Sequence, residues 1–255
     1  MNRTLALSGG AAFGAYQAGA WAALENSGWT PRAVVGISIG AVNGFLIAKG
    51  ASADEMRSAW LELPGDLQQR LEIQPGRLLW KELPLFKAWL DAVYEQFSKL
   101  PWCCDFQLIC ASLPTFVVTT FQHDAVTREH LLAACALPGM LPPVRLDGRL
   151  YVDNGVVYPV PLPEARSTDA DEIVVVDLLA QPPVPLVRPL RKIAMWPRLR
   201  KYRRGAAERE GQRVITIEHP QPLGGLRDCF TWSPADAERL FDLGEKAGRA
   251  ALLTG

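Results

Sequence analysis

The pattern G-x-S-x-G, which residues 36–40 match, is the feature of this chain that most directly predicts chemistry. An apolar run at 33–35 precedes it and a segment typical of a helix, 41–48, follows it, which predicts a strand, a sharp turn and a helix. Such a turn pushes the serine hydroxyl out of the sheet and places it at a helix N-terminus. Gly36 and Gly40 would let strand, helix and substrate approach closely, because a Cβ atom would crowd the turn. Ser38 is therefore a candidate nucleophile.

A serine hydroxyl needs a neighbouring base before it becomes a good nucleophile. Asp153 is one candidate, at the predicted end of a strand and in a turn that Asn154 and Gly155 favour. Functional sites gather at the ends of strands in α/β sheets, although the same pattern is also typical of an Asx turn without a catalytic part. His219, which follows a predicted strand at 214–217, is the alternative base, in a Ser-His-Asp triad.

A third stretch, residues 8–14, is a loop of small residues whose N–H groups could face a ligand and stabilise an oxyanion. Two other readings of the loop are disfavoured by its sequence. Gly9, Gly10 and Gly14 do not have the spacing of the dinucleotide-binding pattern G-x-G-x-x-G, and Gly14 is not followed by the Lys and Ser or Thr of a phosphate-binding P-loop.

The predicted elements around these motifs alternate between strand and helix. The first four, at 4–7, 15–26, 33–37 and 38–49, form a β-α-β-α unit, which implies a parallel sheet with a right-handed crossover. Further strands are predicted at 106–111, 115–121, 173–176 and 214–217, a hairpin at 144–152 with Asp147-Gly148 as its turn, and helices at 54–63, 86–100, 127–136 and 234–253. The chain is therefore predicted to be an α/β protein with a mostly parallel central sheet.

Composition restricts the class of protein further. The length of 255 residues, with 49% hydrophobic and 21% charged residues, favours one α/β domain spanning 1–255. The formal net charge of zero disfavours nucleic-acid binding. Five scattered cysteines without a C-x-x-C pair and three distant histidines predict reduced thiols and no metal site. The uncharged stretch 4–24 is too rich in glycine for a secretory signal or a membrane span, so we expect a cytoplasmic protein.

Residues 188–204 combine many arginines and lysines with Trp196. Such a segment could rest transiently on anionic lipid headgroups, which would make the protein peripheral at a membrane. Prolines at 185, 189 and 197 interrupt an amphipathic helix, so the pattern favours an ordinary solvated face.

The three motifs together, in this order and spacing, resemble those of the patatin-like phospholipases. Residues 5–19 are similar to the glycine-rich oxyanion loop of that family, residues 36–43 to its nucleophile motif, and residues 153–155 to its D-G-[GA] motif. The stretch 133–144 and the final helix also resemble the family, so that the similarity spans residues 4 to about 250. This chain departs from the family at Ala11, Phe13 and Asn154, where many relatives have glycine or a basic residue.

The resemblance implies a three-layer α/β/α fold and a serine lipid acyl hydrolase, that is, a phospholipase A or other carboxylic ester hydrolase. It implies a dyad of Ser38 and Asp153 without a histidine, and oxyanion donors at Gly9, Gly10 and Ala11. It implies a lipid or acyl-ester substrate and no cofactor. The triad esterase that uses His219 stays open, as does a catalytically silent lipid-binding protein of the same fold.

The variable middle region allows two interpretations, of which a helix face packed on the core is slightly favoured over a pocket for an acyl chain. Apolar and aromatic side chains of the variable middle region could line or cover such a pocket, or simply form a helix face packed on the core; they are Leu78, Leu79, Trp80, Leu83, Leu85, Phe86 and Trp89.

Overall fold

One mixed sheet organises the protein. The computed structural model describes residues 1–62, 84–181 and 211–254, with only the backbone given for a few of these. Within these ranges eight strands form the sheet: β1 (Arg3–Leu7), β2 (Ala33–Ile37), β3 (Asp105–Ser112), β4 (Val117–Gln122), β5 (Val144–Leu146), β6 (Arg149–Asp153), β7 (Glu172–Asp177) and β8 (Arg213–Glu218).

The centre of the sheet is parallel. β1 pairs in parallel with β2 and with β7, β7 pairs in parallel with β8, and β2 pairs in parallel with β3. The strands β1, β2 and β7 are buried on both faces, as their apolar runs predict. The predicted mostly parallel α/β sheet is thus confirmed.

The strand β3 carries two different neighbours along one edge. Its residues 105–109 pair with β2, its residues 110–112 pair with β6, and its residues 107–112 pair with β4. A strand has only two hydrogen-bonding edges, and the β4 ladder overlaps both of the other ladders. β2 and β6 therefore share the opposite edge of β3, and they run toward each other along it.

Seven α-helices are described: α1 (Gly14–Asn26), α2 (Ile39–Ala48), α3 (Ala53–Leu61), α4 (Pro84–Phe97), α5 (Arg128–Ala134), α6 (Leu162–Ser167) and α7 (Pro234–Thr254). All except α6 contribute to one large core on one face of the sheet, which includes Leu5 and Val34. The short helix α6 packs on the opposite face, where Ala6 and Val35 point. Adjacent strand residues thus enter different cores, as the pleat requires, and helices cover both faces.

Most predicted elements occur, with ends that differ by a few residues. The Asp147-Gly148 turn joins β5 to β6 as predicted, whereas α6 has no counterpart in the sequence-based prediction. No described helix combines the length and the apolar character that crossing a bilayer demands. The basic segment 188–204 and the side chains of residues 78–85 lie outside the described part of the structure.

Glycines bring α1 and α7 into backbone contact. A Cβ atom at Gly19 would lie 1.9 Å from the carbonyl oxygen of Phe241, and one at Gly244 would lie 2.0 Å from that of Tyr16. Only a residue without a side chain fits at either position. Since α1 begins directly after the loop at residues 8–13, its packing against α7 fixes the position of the helix to which that loop is connected.

Gly244→Ala tests this contact. In an exposed helix the change from glycine to alanine stabilises by about 0.5–1 kcal/mol, but here the new methyl group would overlap a backbone carbonyl. We expect the free energy of unfolding, measured by urea denaturation, to fall by about 2–3 kcal/mol. Lys246→Ala, on the exposed side of the same helix, should change it by no more than about 0.5 kcal/mol. A gain in stability for Gly244→Ala would contradict the tight packing.

Candidate active site

Ser38 lies on the turn that joins β2 to α2. Its backbone adopts φ 56° and ψ −130°, a positive-φ conformation that is costly for any residue other than glycine and typical of functional turns. A Cβ atom at Gly36 would lie 2.4 Å from the Gly40 carbonyl oxygen, and one at Gly40 would lie 2.4 Å from the carbonyl oxygen of Leu7. Both glycines are therefore required by the close approach of β1, β2 and α2, as the sequence predicts for a nucleophile elbow.

Asp153 is the last residue of β6 and pairs with Cys110 of β3. Ile37, the residue before Ser38, pairs with Ile109, the adjacent position of the same strand. Two strands that arrive from opposite directions thus end beside each other. This register brings Ser38 to Asp153, although 114 positions separate them in the chain.

The carboxyl group of Asp153 is buried, with 3% of the residue exposed. Burial raises its pKa to about 6, and hydrogen bonding from the Ser38 hydroxyl and the Gly155 N–H limits the rise. The Gly155 N–H donates to Oδ1 at 2.6 Å across the turn that Asn154 and Gly155 form. A carboxylate with a pKa near 6 is a stronger base than an ordinary aspartate and is still ionised at neutral pH.

The loop at residues 8–13 packs against the serine. A Cβ atom at Gly9 would lie 3.1 Å from the Cβ atom of Ser38, so the loop backbone borders the nucleophile directly. The Gly9 N–H donates to Pro159 O at 2.9 Å and the Ala12 N–H donates to Cys229 O at 2.9 Å. Gly9 therefore contributes a fixed anchor here, which differs from its predicted use as an oxyanion donor.

Two N–H groups of this loop are available to a ligand. Within the described residues neither the Gly10 N–H nor the Ala11 N–H has a protein acceptor. Ala11 has φ 50°, so this alanine adopts the left-handed conformation that glycine would adopt without strain. The first N–H groups of α2, beginning at Ile39, also lack intrahelical acceptors, as at every helix N-terminus.

A cleft with a volume of about 220 Å³ opens onto these groups. Ser38, Asp153 and the loop from Gly9 to Ala12 form one part of its wall. The rest of the described wall is largely apolar and aromatic, formed by Ile39, Trp60, Phe86, Trp89, Leu137, Met140, Leu141, Leu179, Phe230 and Trp232 together with Cys135, Gly155, Pro159 and Cys229. An apolar cavity that ends on a serine and a carboxylate suits an apolar substrate with one reactive polar group.

The expected pocket residues are found there in part. Phe86 and Trp89 of α4 line the cleft, whereas Trp60 and Trp232 were not among the predicted ones. Trp60 comes from α3 and Trp232 from the segment before α7, so no single stretch of sequence identifies the wall. Their aromatic character at the ends of helices is the signal that the sequence offered.

None of the chain's three histidines, all within the described residues, lines the cleft. His219 lies beyond the end of β8 and its Nδ1 contacts the Gln221 carbonyl oxygen at 2.9 Å within its own turn. β8 is three strands from β2 in the sheet, a separation of roughly 14 Å at ordinary strand spacing. The structure thus does not bring together the alternative triad of Ser38 and His219.

The other two histidines have local partners. His123 contacts Asp105 at 4.0 Å near the start of β3, away from the end of β2, and His130 caps the N-terminus of α5 through Thr127. In the described ranges no cluster of three or more His, Cys, Asp or Glu side chains is arranged to hold a metal ion.

Comparison with known proteins places the fold and the motifs in one family. The family model described as Patatin-like phospholipase matches residues 5–94 and 111–166, more than half of the chain. Patatin-like phospholipase domain-containing protein 6 of Mus musculus is 30% identical over 189 residues, which cover 69% of this chain and 13% of the mouse protein. Lysophospholipase nte1 of Aspergillus terreus is 28% identical over 185 residues, which cover 68% and 12% of the two proteins.

A bacterial relative and a solved structure extend the comparison. An uncharacterised NTE family protein of Mycobacterium bovis is 29% identical over 184 residues, which cover 68% of this chain and 48% of the relative. The crystal structure of VipD from Legionella pneumophila has the same fold, with a TM-score of 0.55 at 12% identity over 99% of this chain and 67% of VipD. This chain spans only about one eighth of the length of the fungal and mouse relatives. By its family match, the chain belongs to the patatin-like phospholipases.

Proposed function

We propose that this protein is a serine lipid acyl hydrolase in which Ser38 is the nucleophile and Asp153 the base. The observation that carries the proposal is the pairing of a strained, cleft-lining serine with a buried carboxyl group of pKa about 6. The family and the names of its relatives, which include a lysophospholipase, agree with that chemistry.

In the first half of the reaction the Ser38 Oγ atom attacks the carbonyl carbon of an acyl ester while its proton passes to Asp153. The tetrahedral intermediate then collapses, the bond to the alcohol breaks, and Asp153 returns the proton to the departing alcohol. In the second half Asp153 takes a proton from a water molecule, whose oxygen attacks the carbonyl carbon of the acyl-serine. When this second tetrahedral intermediate collapses, the bond to the Ser38 Oγ atom breaks, Asp153 returns the proton to that atom, and the fatty acid leaves. One carboxyl group therefore serves as base and acid in turn.

The oxyanion of the tetrahedral intermediate needs donors that are fixed beforehand. We assign this role to the N–H groups of Gly10 and Ala11, with the first N–H of α2 as a third donor, because those of Gly9 and Ala12 are already bonded. Removing one donor from such a site typically costs about 10²–10³ in rate. Because these donors belong to the backbone, Ala11 can replace the glycine of many relatives.

The apolar wall of the cleft suits the acyl part of the substrate. Trp60, Phe86 and Trp89 from α3 and α4 provide aromatic surface beside the serine. We therefore propose a long-chain acyl ester as the substrate and a transient contact with the membrane or micelle that holds it.

Covalent labelling is the first test of this assignment. A fluorophosphonate probe should label the native protein and not Ser38→Ala. Asp153→Asn should lower kcat/KM on a short-chain ester by about 10²–10⁴, the usual contribution of a positioned base. The matched control is His219→Ala, which should keep labelling and turnover. A protein that neither binds the probe nor turns over any acyl ester would instead be a lipid-binding member of the family.

The pH dependence of kcat/KM follows from the raised pKa of Asp153. The base must be ionised to accept the serine proton, so kcat/KM should be half-maximal near pH 6 and fall about tenfold per pH unit below that. His219→Ala should show the same inflection. An inflection that disappears in His219→Ala would move the base to that histidine.

Asp153→Asn should increase stability while it removes activity. The folded-state pKa of about 6 exceeds the ordinary value of 3.8, so the buried carboxylate destabilises the folded protein above pH 6, and acidification relieves this. Asparagine carries no such charge. We expect the variant to gain up to about 3 kcal/mol in unfolding free energy at pH 7.5, with little gain near pH 4.

The control for this comparison is Asp242→Asn on the exposed side of α7, which should show no comparable gain. A stability difference between Asp153→Asn and the native protein that does not change between pH 7.5 and pH 4 would show that the carboxylate is not desolvated as the structure indicates.

A further inference from the structure

A chain of buried polar side chains connects the cleft wall to the loop beside Ser38. The indole N–H of Trp60 donates to Asn43 Oδ1 at 3.0 Å, and Asn43 Nδ2 donates to Gln17 Oε1 at 2.9 Å. Gln17 Nε2 in turn donates to the Ser8 carbonyl oxygen at 2.8 Å. We call Gln17, Asn43 and Trp60 the amide chain; none is more than 2% exposed.

Every hydrogen bond along the amide chain has its donor on the Trp60 side and its acceptor on the Ser8 side. The second N–H of Asn43 donates to the Gly14 carbonyl oxygen at 2.9 Å, so its oxygen and its nitrogen are both committed. With the oxygen of Gln17 accepting from Asn43, its amide nitrogen is directed to Ser8. Buried amides are costly unless paired, and the reversed orientation of either amide would place like groups together. The amide chain therefore has one favourable orientation of its two amide groups, in which the last donor bonds to the Ser8 carbonyl oxygen.

The bond to Ser8 fixes the peptide group between Ser8 and Gly9. In a trans peptide the carbonyl and the N–H point in opposite directions. Here the carbonyl accepts from Gln17 and the N–H donates to Pro159 O, so the peptide is held from both sides. The Ser8 side chain adds a third restraint, because its Oγ atom accepts the Leu178 N–H at 2.9 Å.

This peptide group comes directly before the N–H groups of Gly10 and Ala11. The far side of the same turn is fixed as well, since the Phe13 N–H donates to Gly10 O at 3.2 Å. The Gly10 carbonyl oxygen points toward the Phe13 N–H. The Ala11 N–H, which belongs to the same trans peptide, therefore points in the opposite direction. The orientation of both proposed donors thus depends on a backbone that Gln17 holds at its start.

We infer that Gln17 and Asn43 are positioning residues for the oxyanion donors, with Trp60 as the anchor of the amide chain in the cleft wall. The inference rests on the proposed function, since it assigns a role within that reaction. A misplacement of about 1 Å in a catalytic group can cost about 10²-fold in rate. Loss of the amide chain should therefore weaken binding of the tetrahedral state much more than binding of the substrate.

An alkyl trifluoromethyl ketone measures this difference. The Ser38 Oγ atom adds to its carbonyl carbon, the hydroxyl proton passes to Asp153, and the electron pair of the C=O bond becomes an oxyanion that requires the same donors. The ratio of its inhibition constant to the KM of an ester with the same alkyl chain reports on formation of the tetrahedral adduct, and in variants that keep Ser38 and Asp153 it follows the oxyanion donors. A substitution that affects only the fit of the alkyl chain in the cleft changes the inhibition constant and KM by the same factor.

Gln17→Met removes the donor to Ser8 at nearly constant volume. We expect it to raise the inhibitor-to-KM ratio by roughly 10- to 100-fold, to lower kcat by a similar factor and to leave KM within about twofold. Trp60→Phe, which deletes the N–H that anchors Asn43 together with one ring of the indole, should raise the ratio by a smaller amount in the same direction.

Gln17→Glu provides a conservative variant that titrates. Burial raises the pKa of a carboxyl group, and the protonated acid can both donate to Ser8 and accept from Asn43. Relative to the native protein at the same pH, this variant should therefore regain activity and inhibitor affinity as pH falls. Gln17→Met should show no such recovery.

Two controls separate positioning from stability. Trp89→Phe removes a similar buried indole bond, to Ala59 O at 2.8 Å, from the same cleft wall. It should change KM and the inhibition constant in proportion. Thr4→Val removes the part-buried Thr4–Thr168 hydrogen bond at the far end of β1 and should lower stability without altering the ratio.

The outcomes distinguish this inference from the proposed function. A native protein that turns over the ester, with Gln17→Met and Trp60→Phe variants that lose stability but keep the native ratio, overturns the positioning role alone. A native protein that is inert to ester and ketone overturns the proposed function and this inference with it. A raised ratio in both variants, with recovery in Gln17→Glu at low pH, supports the inference.

Discussion

The shared edge of β3 is the constraint on which the candidate site depends. β2 and β6 end against Ile109 and Cys110, so Ser38, which directly follows β2, lies beside Asp153, the last residue of β6. Both strands are held by sheet hydrogen bonds, and sites built on such elements are more exact than sites built on loops. The two strands can meet in this way because β6 runs antiparallel to β3 while β2 runs parallel to it.

The same arrangement explains why Asp153 differs from an ordinary aspartate. Asp153 ends β6, which lies between β5 and β3 in the sheet, and its charge adds to the burial that raises the pKa of the nearby Cys110 and Cys135 thiols. Water is excluded, so the charged form is disfavoured and the pKa rises. The fold thereby loses some stability, and the carboxyl group that we propose as the base titrates closer to neutral pH than an ordinary aspartate. The positive-φ conformations of Ser38 and Ala11 add local strain nearby.

The local parts of this site were predictable from sequence, and the long-range parts were not. Glycines at 36 and 40 predict the turn that carries Ser38, and Asn154-Gly155 predicts the turn after Asp153, because both depend on residues close in the chain. Their pairing depends on the register of β3, which no local pattern encodes. Only the order and spacing of three motifs, through resemblance to a family, linked Ser38 to Asp153 rather than to His219.

Gly9 is a second case in which a local sequence pattern could not predict a contact with a residue distant in sequence. A glycine-rich loop predicts exposed N–H donors, but the acceptor that occupies the Gly9 N–H is Pro159, which is distant in sequence. The loop is thus anchored at Gly9 and Ala12 and open between them, at Gly10 and Ala11. The unbonded groups at Gly10 and Ala11 are backbone N–H groups. The choice of side chain at these two positions is therefore limited by the space available and by the φ angle, and not by a need for a particular functional group. The geometry of this candidate site therefore depends on the buried residues that hold the backbone as much as on the serine and the aspartate.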